Sequence, residues 1–304
     1  MFSKSMEAFA KINLFLAILG LRDDGYHLLH TVMQTISLSD TVELRLLEKP
    51  EESGFSVLLS MDGEQVEKTL RNTAGRAAIE YLIRIGSPHV EVSISLTKRI
   101  PMMAGLGGGS ADAAAVLLLM NEAFGGALSE DELASVSGRI GADVPFFLRG
   151  GAALCEGTGE KITPVESLQG LFLLLIKPTG GISTPEAYRA YDLSGVSFSI
   201  APVEDERLGE FLYPRKDLTP EERLESIIPL LSNDLQAVAE AAIPDIQRIR
   251  QFLLEKGAFV AGMSGSGSTV FGIFKNKETR DSAAAAAAVF ELEGCFVCSC
   301  ESIR

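Results

Sequence analysis

The sequence predicts an α+β fold, and three features carry that prediction. Residues Ala8 to Leu19 alternate between two faces, which is the period of a β-strand. A run rich in Ala and Leu, Ala113 to Phe124, follows a glycine-rich stretch and ends at Gly125-Gly126, as a helix does. In the C-terminal part, helical and strand-like segments alternate. With 304 residues, the chain is long enough to form two domains.

The division between the two predicted domains falls near residue 165. A short apolar strand, Leu171 to Lys177, is broken by Pro178-Thr179-Gly180-Gly181, and the region just before that strand is the candidate boundary. We therefore expect an N-terminal domain over residues 1–165 and a C-terminal domain over residues 166–304.

Local patterns predict the elements of each domain. Ser129, with Glu132 three residues later, forms a capping box that opens a helix, and Pro185 favours a helix beginning at Thr184. The other N-terminal elements are strands at 31–37, 40–47, 55–60 and 90–100 and a helix at 72–85. The other C-terminal elements are helices at 233–242, 246–256 and 282–290 and strands at 171–177, 259–263, 269–274 and 295–300. The charged segment 203–225 is predicted to be a partly helical surface insertion.

The charge balance argues against several kinds of partner. A net charge of −14 disfavours general nucleic-acid binding and docking on an anionic membrane. No apolar stretch has the length of a transmembrane helix, and no secretory signal pattern is visible at the N-terminus. We expect a cytoplasmic protein that is a monomer or a weak homodimer.

Three of the four cysteines lie close together near the C-terminus, at Cys295, Cys298 and Cys300, and the fourth is Cys155. A metal site there would need a fourth ligand, and no histidine is nearby in the sequence. The alternation favours a terminal strand with small thiols instead. We expect reduced cysteines and assign no metal ligand.

The stretch Pro101 to Ala114 is the strongest candidate for a binding site. Four of its glycines fall within the five positions that end at Gly109. Glycine lets the main chain approach a ligand closely, and the first N–H groups of a helix have no intrahelical partner. Phosphate is the expected ligand, with Ser110 as N-cap or as a contact for phosphate or metal, and Asp112 in the first helical turn. A structural hinge or a tight turn is the alternative.

The glycine pattern differs from two common nucleotide motifs. No lysine follows the glycines as in a Walker A loop. Ser110 stands where a dinucleotide-binding loop has its third glycine.

Two charged residues stand out within apolar segments. Lys11 lies on the predicted first strand, and Asp143 lies within an apolar segment next to a predicted turn. If both faces of the strand are covered, Lys11 needs a partner, and Asp143 is a candidate. The alternatives are a solvated lysine on an exposed face and an aspartate that caps a helix or closes an Asx-turn.

The loop from Gly20 to His27 carries an aromatic ring and an imidazole, Tyr26 and His27. These groups can stack on and hydrogen-bond a flat ligand. They can equally anchor the loop to the protein.

Taken together, these features resemble the GHMP kinases, the family of galactokinase, homoserine kinase, mevalonate kinase and phosphomevalonate kinase. The resemblance runs in order from about Phe9 to Phe274. It rests on these motifs: Ala10-Lys11-Ile12-Asn13-Leu14, Gly25-Tyr26-His27 with Arg22, Gly105-Leu106-Gly107-Gly108-Gly109-Ser110, Gly141-Ala142-Asp143-Val144-Pro145, and Glu156-Gly157 with Gly159-Glu160. The match is closest to the branch that phosphorylates a cytidyl-diphosphate derivative of methylerythritol in the non-mevalonate route to isoprenoid precursors.

The resemblance implies a fold, two cofactors and a catalytic pair. The fold is two-lobed, with an N-terminal lobe like domain 2 of ribosomal protein S5 and a ferredoxin-like C-terminal lobe. ATP donates a phosphoryl group and Mg²⁺ bridges its phosphates. Asp143 would accept the proton of the attacking hydroxyl, and Lys11 would keep Asp143 ionised.

The resemblance also implies two sets of binding residues. The ATP site would be formed by Asn72, Lys98, Pro101, Met102, Met103, Ala104, Gly105, Leu106, Gly107, Gly108, Gly109, Ser110 and Ala111. The small-molecule substrate would be bound by Asn13, Tyr26, His27, Thr184 and Tyr188, with the two tyrosines sandwiching the cytosine and His27 hydrogen-bonding it. Ala111 stands where the family commonly has a second serine.

Three other functions compete with this interpretation. One is a GHMP kinase with another acceptor, such as mevalonate or homoserine, against which the Gly25-Tyr26-His27 loop argues. Another is a non-catalytic nucleotide-binding regulator, against which the presence of both Lys11 and Asp143 argues. A dinucleotide-binding oxidoreductase is more distant, because its fingerprint is missing.

Overall fold

Two long strands, β1 (Phe2–Leu21) and β2 (His27–Glu48), contribute to both of the units into which the chain divides. The computed structural model describes residues 2–50, 54–86, 88–196, 220–287 and 294–304. The first unit comprises Met1–Ala10, Ser39–Met102 and Gly107–Gly150. The second comprises Lys11–Leu38, Met103–Leu106 and Gly151–Arg304. The units therefore interleave along the chain. The predicted boundary at residue 165 divides the chain linearly, and it stays a prediction.

The first unit is a sheet covered by helices. Strand β5 pairs antiparallel with the second half of β2 and parallel with β3, which pairs antiparallel with β4. Its elements are β3 (Ser56–Met61), β4 (Glu64–Gln65), α1 (Thr73–Arg84), β5 (Val90–Thr97), α2 (Gly108–Ala123), α3 (Glu130–Ile140) and α4 (Val144–Arg149). Inward residues of β5, such as Val92 and Ile94, join buried residues of α1 and α2 in one core.

The second unit contains two sets of paired strands. Strand β6 pairs antiparallel with the first half of β2 and with β7, and β9 pairs parallel with β1. A separate antiparallel sheet has the order β10-β11-β8-β12. The strands are β6 (Ala152–Gly157), β7 (Lys161–Val165), β8 (Phe172–Lys177), β9 (Ser232–Asn233), β10 (Val260–Met263), β11 (Val270–Phe274) and β12 (Phe296–Glu301). The helices are α5 (Thr184–Leu193), α6 (Pro220–Ile227), α7 (Gln236–Ala242), α8 (Asp245–Glu255) and α9 (Lys277–Ala287).

These elements confirm the α+β prediction and correct it in places. The runs 31–37 and 40–47 form one strand, β2, because no glycine or proline interrupts the chain between them. The capping box of Ser129 and Glu132 is present at the start of α3. Helix α5 has a second one, formed by Ser183 and Glu186. Most of the 203–225 segment and the end of the predicted helix at 282–290 lie outside the described residues.

The segment that carries the clustered cysteines forms the strand β12, as predicted. Cys298 and Cys300 lie on β12, and all four cysteines are free thiols. Burial raises the pKa of the Cys298 and Cys300 thiols above the usual range. Across the described part of the chain, no helix has both the length and the apolar character needed to cross a membrane.

Candidate active site

The glycine stretch contains the start of α2, so the helix begins earlier than the sequence predicts. Gly107 is the N-cap, with a φ of +72°, and Gly108 and Gly109 already belong to the helix. A Cβ on Gly108 would lie 2.9 Å from the Ile100 side chain, so only glycine fits there without a shift. The prediction of Ser110 as N-cap is therefore wrong, and Ser110 is the third helical residue.

Asp112 is also placed differently from the prediction. It lies in the second turn of α2 rather than the first, and it is buried. Its Oδ2 accepts a hydrogen bond of 2.5 Å from Lys98 Nζ, and its Oδ1 is buried with no hydrogen-bond partner. Ala111, beside it, is buried in the core of the first unit, so the position of the family's second serine faces apolar packing.

Lys98 lies between two buried carboxylates. Its ammonium donates to Asp112 and to Oδ2 of Asp40, a residue on β2 that is fully buried. Oδ1 of Asp40 accepts the backbone N–H groups of Arg99, at 2.5 Å, and Ile100, at 2.8 Å. We call Asp40, Lys98 and Asp112 the acid–lysine cluster. Its hydrogen bonds connect the segment before the glycine stretch, at Arg99 and Ile100, with helix α2, which follows the stretch.

The charges of the acid–lysine cluster do not cancel. Burial raises the pKa of Asp112 to about 6, although Lys98 opposes that rise. Burial lowers the pKa of Lys98, but the two carboxylates outweigh burial and leave the pKa above its usual value. While both acids are ionised, one ammonium serves two carboxylates, so one of them is incompletely compensated. The Lys98 ammonium, predicted to line the nucleotide site, is bound by these two acids.

The remaining predicted residues of the first unit lie at helix starts and in the loop. Asn72 is the N-cap of α1, and its side chain accepts the N–H of Ala74 at 2.9 Å. Asp143 occupies the N-cap position of α4, but its side chain makes no capping hydrogen bond. Asp143 therefore has the helix-start position that the capping alternative predicts, without the side-chain hydrogen bond of a capping residue. Pro101 is half-buried and Met102 is exposed.

Lys11 is buried on β1 in the second unit, with only 3% of its surface exposed. This excludes the alternative of a solvated lysine. Its Nζ donates to Asn13 Oδ1 at 2.5 Å and to the carbonyl oxygen of Gly105 at 2.9 Å. Ser264 Oγ donates to the same carbonyl at 2.9 Å and accepts the N–H of Asn13 at 3.2 Å. We call Lys11, Asn13, Gly105 and Ser264 the lysine cluster.

Glycine is required at two positions next to Lys11. Gly105 has a φ of +72°, and a Cβ there would overlap the carbonyl oxygen of Ser264. Gly265 has a φ of +56°, and a Cβ there would lie 3.2 Å from Lys11 Nζ. The segment from Ser264 to Gly267 thus packs directly on the lysine cluster. The sequence shows this second glycine stretch but does not reveal that it closes over Lys11.

The other predicted loop residues of the second unit are held by their backbone. The N–H of Lys11 donates to the carbonyl of Leu106 at 3.0 Å, and Thr269 donates to the carbonyl of Ala104 at 3.3 Å. Ala104 and Leu106 are buried, whereas Met103 is exposed with a φ of +48°.

His27, Tyr188 and Asp192 form a third group, the histidine cluster. The rings of His27 and Tyr188 stack, with centroids 4.6 Å apart and planes inclined by 25°. His27 Nε2 lies 2.7 Å from Asp192 Oδ1 on the same helix as Tyr188. Tyr26 is 66% exposed, which leaves its ring available to a ligand.

Thr184, at the start of the helix that carries Tyr188, contacts the second glycine stretch. Its hydroxyl lies 3.0 Å from the hydroxyl of Ser266.

The structure thus sorts the predicted residues into local groups. The second unit brings Lys11 and Asn13 together with Gly105, and His27 together with Tyr188. The pairing of Lys11 with Asp143 stays a prediction, because these residues belong to different units. Sequence reasoning missed Asp40, Ser264 and Asp192. An acid amid apolar strand residues was the available signal for Asp40, but its partner Lys98 lies 58 residues away.

Comparison with protein families matches two models. The model of the GHMP kinase N-terminal domain covers residues 72–151, and that of the GHMP kinase C-terminal domain covers residues 216–291. The 4-diphosphocytidyl-2-C-methyl-D-erythritol kinase of Clostridium botulinum strain Hall is 39% identical over 268 residues, covering 88% of this chain and 90% of that protein. The chain belongs to the GHMP kinase family. The enzyme of the same name from Clostridium beijerinckii is also 39% identical to this GHMP kinase, over 273 residues and with the same coverage.

Solved structures agree with the family assignment. The crystal structure of a 4-(cytidine 5'-diphospho)-2C-methyl-D-erythritol kinase has a TM-score of 0.77 and 30% identity, covering 99% of this GHMP kinase and 100% of that chain. Homoserine kinase from Cytophaga hutchinsonii has a TM-score of 0.69 at 19% identity, covering 100% of this chain and 97% of that one. At that identity the second match shows the fold alone. The predicted GHMP kinase fold is confirmed.

Proposed function

We propose that the chain transfers the γ-phosphoryl group of ATP to a hydroxyl of 4-diphosphocytidyl-2-C-methyl-D-erythritol. The observation that carries this proposal is the 39% identity to kinases of that name over 88% of the chain. The chemical environment of Lys11 supports it, because a buried ammonium held by a carbonyl and an amide suits a reaction that moves negative charge. The product would feed the non-mevalonate route to isoprenoid precursors.

Asp143 and Lys11 are the proposed catalytic residues. Asp143 would take the proton of the acceptor hydroxyl as its oxygen bonds to the γ-phosphorus and the bond from phosphorus to the β,γ-bridging oxygen breaks, leaving ADP. Lys11 would favour the ionised carboxylate and offset charge on the phosphoryl group.

The glycine stretch is the proposed site of the ATP phosphates. The left-handed backbone at Gly107 and the start of a 16-residue helix at Gly108 fit this role, because the first helical N–H groups attract anions. Mg²⁺ is proposed to be bound mainly by the phosphate oxygens, and the Ser110 hydroxyl in the first turn is the contact this chain would offer. When bound, Mg²⁺ would neutralise charge on the phosphates.

The remaining predicted contacts keep their proposed roles. Asn72 and Lys98 would lie beside the nucleotide, Lys98 through its backbone because its ammonium is bound by Asp40 and Asp112. Asn13 and Thr184 would contact the acceptor. Tyr26 and Tyr188 would stack on the cytosine, and His27 would bond its edge.

A coupled ADP-release assay tests the proposal. The purified chain is given Mg²⁺-ATP with the cytidyl-diphosphate methylerythritol, mevalonate or homoserine as acceptor. We expect kcat/KM for the cytidyl substrate to exceed the other two by at least ~10²-fold, because the competitors lack the base that the histidine cluster would bind. A preference for mevalonate or homoserine would reassign the acceptor within the family. No ADP release with any acceptor would favour a non-catalytic nucleotide-binding protein.

We also propose the compartment in which the enzyme acts and its oligomeric state. Four free thiols fit a reducing compartment, and we propose the cytoplasm. We propose a monomer or weak homodimer, which sedimentation would test.

A further inference from the structure

The histidine cluster fixes the His27 ring by two different contacts. Stacking on Tyr188, at 4.6 Å between centroids, sets the plane of the imidazole. The 2.7 Å contact with Asp192 sets the direction of Nε2 within that plane. The His27 side chain is only 8% exposed, whereas that of Asp192 is 44% exposed. Asp192 is therefore a surface carboxylate whose described contact is with a nearly buried ring.

The contact with Asp192 also decides where the proton of His27 lies. An ionised carboxylate can only accept hydrogen bonds, so the ring nitrogen that faces it must carry a hydrogen. In a neutral imidazole the other nitrogen then has a lone pair and accepts hydrogen bonds. In the neutral ring, Asp192 thus makes Nδ1 of His27 an acceptor.

An acceptor at Nδ1 selects between pyrimidine bases. A base bonded to Nδ1 would lie in the plane of the imidazole, and therefore roughly parallel to the Tyr188 ring, as stacking requires. Cytosine offers an exocyclic amino group, which donates, at the position where uracil offers a carbonyl oxygen, which accepts. A carbonyl facing the lone pair of Nδ1 would leave both groups unpaired, and that mismatch is costly because the His27 side chain is nearly buried.

We propose that Asp192 is a positioning residue that makes this kinase select a cytosine over a uracil base, by fixing the proton of His27 on Nε2. This inference rests on the proposed function, since it assigns a specificity determinant to the same substrate. Asp192 itself need not touch the substrate.

The test compares the cytidyl-diphosphate substrate with its uridyl counterpart in wild type, Asp192→Asn and Asp192→Glu. We expect wild type to prefer the cytidyl substrate by at least ~10²-fold in kcat/KM, as sites built around a specific hydrogen bond do. Asn has an amide that accepts or donates, so either ring nitrogen can carry the proton, and the preference should fall at least ~10-fold. The loss should appear mainly in KM for the cytidyl substrate, with KM for ATP unchanged. Asp192→Glu keeps the carboxylate and should retain more of the preference than Asp192→Asn.

Asp23→Asn is the matched control, because it removes the same charge from an exposed position in the loop that carries His27. It should leave the preference as in wild type. Unchanged thermal unfolding of the variants would exclude misfolding as the cause of a changed preference. An Asp192→Asn enzyme with the wild-type preference, or a wild type that prefers the uridyl substrate, would refute the inference while leaving kinase activity established. A wild type inactive on both would instead refute the proposed function.

Discussion

At the scale of single residues, the candidate site depends on groups that are unusual for their surroundings. Lys11 is a charged side chain on a strand whose neighbours are buried, and its ammonium is satisfied by Asn13 and the Gly105 carbonyl. Gly105 adopts a backbone conformation that side chains disfavour. Such positions cost stability, so a function is the natural reason for a chain to keep them.

Replacing the proposed catalytic residues should abolish most of the activity without unfolding the protein. We expect Asp143→Asn and Lys11→Met each to lower kcat by at least ~10²-fold, the contribution typical of a positioned base or charge. Asp131→Asn and Lys4→Met remove the same charges from exposed positions and should stay within about 2-fold of wild type, since surface ion pairs contribute little. Near-full turnover in either site variant would remove that residue from the mechanism.

Gly105→Ala should disrupt the lysine cluster. The new methyl group meets both a positive φ and the carbonyl oxygen of Ser264, so we expect unfolding free energy to fall by more than ~2 kcal/mol and kcat to fall as Lys11 loses its position. Gly126→Ala is the control, because its φ is also positive but nothing lies near its Cβ, so only about 1 kcal/mol of strain applies. Urea denaturation measures both. Equal losses of unfolding free energy in the two variants would show that the close contact with the Ser264 carbonyl adds nothing to the backbone strain.

At the scale of elements, the acid–lysine cluster joins three of them around the glycine stretch. Asp40 comes from β2, Lys98 follows β5, and Asp112 lies in α2. The cluster holds the end of β5 against the start of α2, which is the geometry that exposes the helix terminus. Its two buried acids also place negative charge beneath a proposed phosphate site, and Lys98 offsets part of it.

Removing Lys98 should therefore lower the unfolding free energy, and removing Asp112 as well should restore part of that loss. Breaking a buried ion pair from one side usually costs about 3–5 kcal/mol, and we expect Lys98→Met to lose that much unfolding free energy. The double variant Lys98→Met with Asp112→Asn should be at least ~1 kcal/mol more stable than the sum of the single variants, because the unpaired carboxylate is gone. Arg84→Met, which breaks an exposed pair with Glu132, should cost less than about 1 kcal/mol. If the losses of unfolding free energy in the two single variants simply add up in the double variant, Lys98 and Asp112 do not stabilise each other.

Several elements could be predicted because their signals are local. The Ser129 capping box, the strand at Phe172–Lys177 and the alternation on β12 need only neighbours in the sequence. The start of α2 could not be predicted, because glycine is a poor helix former and no neighbouring residue shows that Gly108 and Gly109 are helical. The partners of Lys98 and His27 were missed for the same reason. Asp192 lies 165 residues from His27, and nothing near either residue indicates the pairing.

At the scale of the whole molecule, the net charge of −14 opposes folding by self-repulsion. Added salt should screen this repulsion, since the Debye length falls from about 30 Å at 0.01 M to about 8 Å at 0.15 M. We expect the melting temperature at pH 7 to rise by ~2 °C or more over that range of NaCl, as followed by circular dichroism. A falling melting temperature would mean that specific ion pairs outweigh the net charge.

The interleaving of the two units has a consequence for synthesis on the ribosome. The first unit ends at Gly150, so all its residues are available when half of the chain has been made. The second unit is not complete until Ile303 has been made, because Ile303 donates to the Thr35 carbonyl at 3.0 Å and accepts from Gln34 at 2.7 Å. We expect ribosome-stalled chains to become protease-resistant in the first unit while residues 11–38 are still cleavable. Simultaneous protection of both regions would contradict this order, and early protection of residues 11–38 would reverse it. Gln34 is thus held in place by a residue that is synthesised 269 positions later.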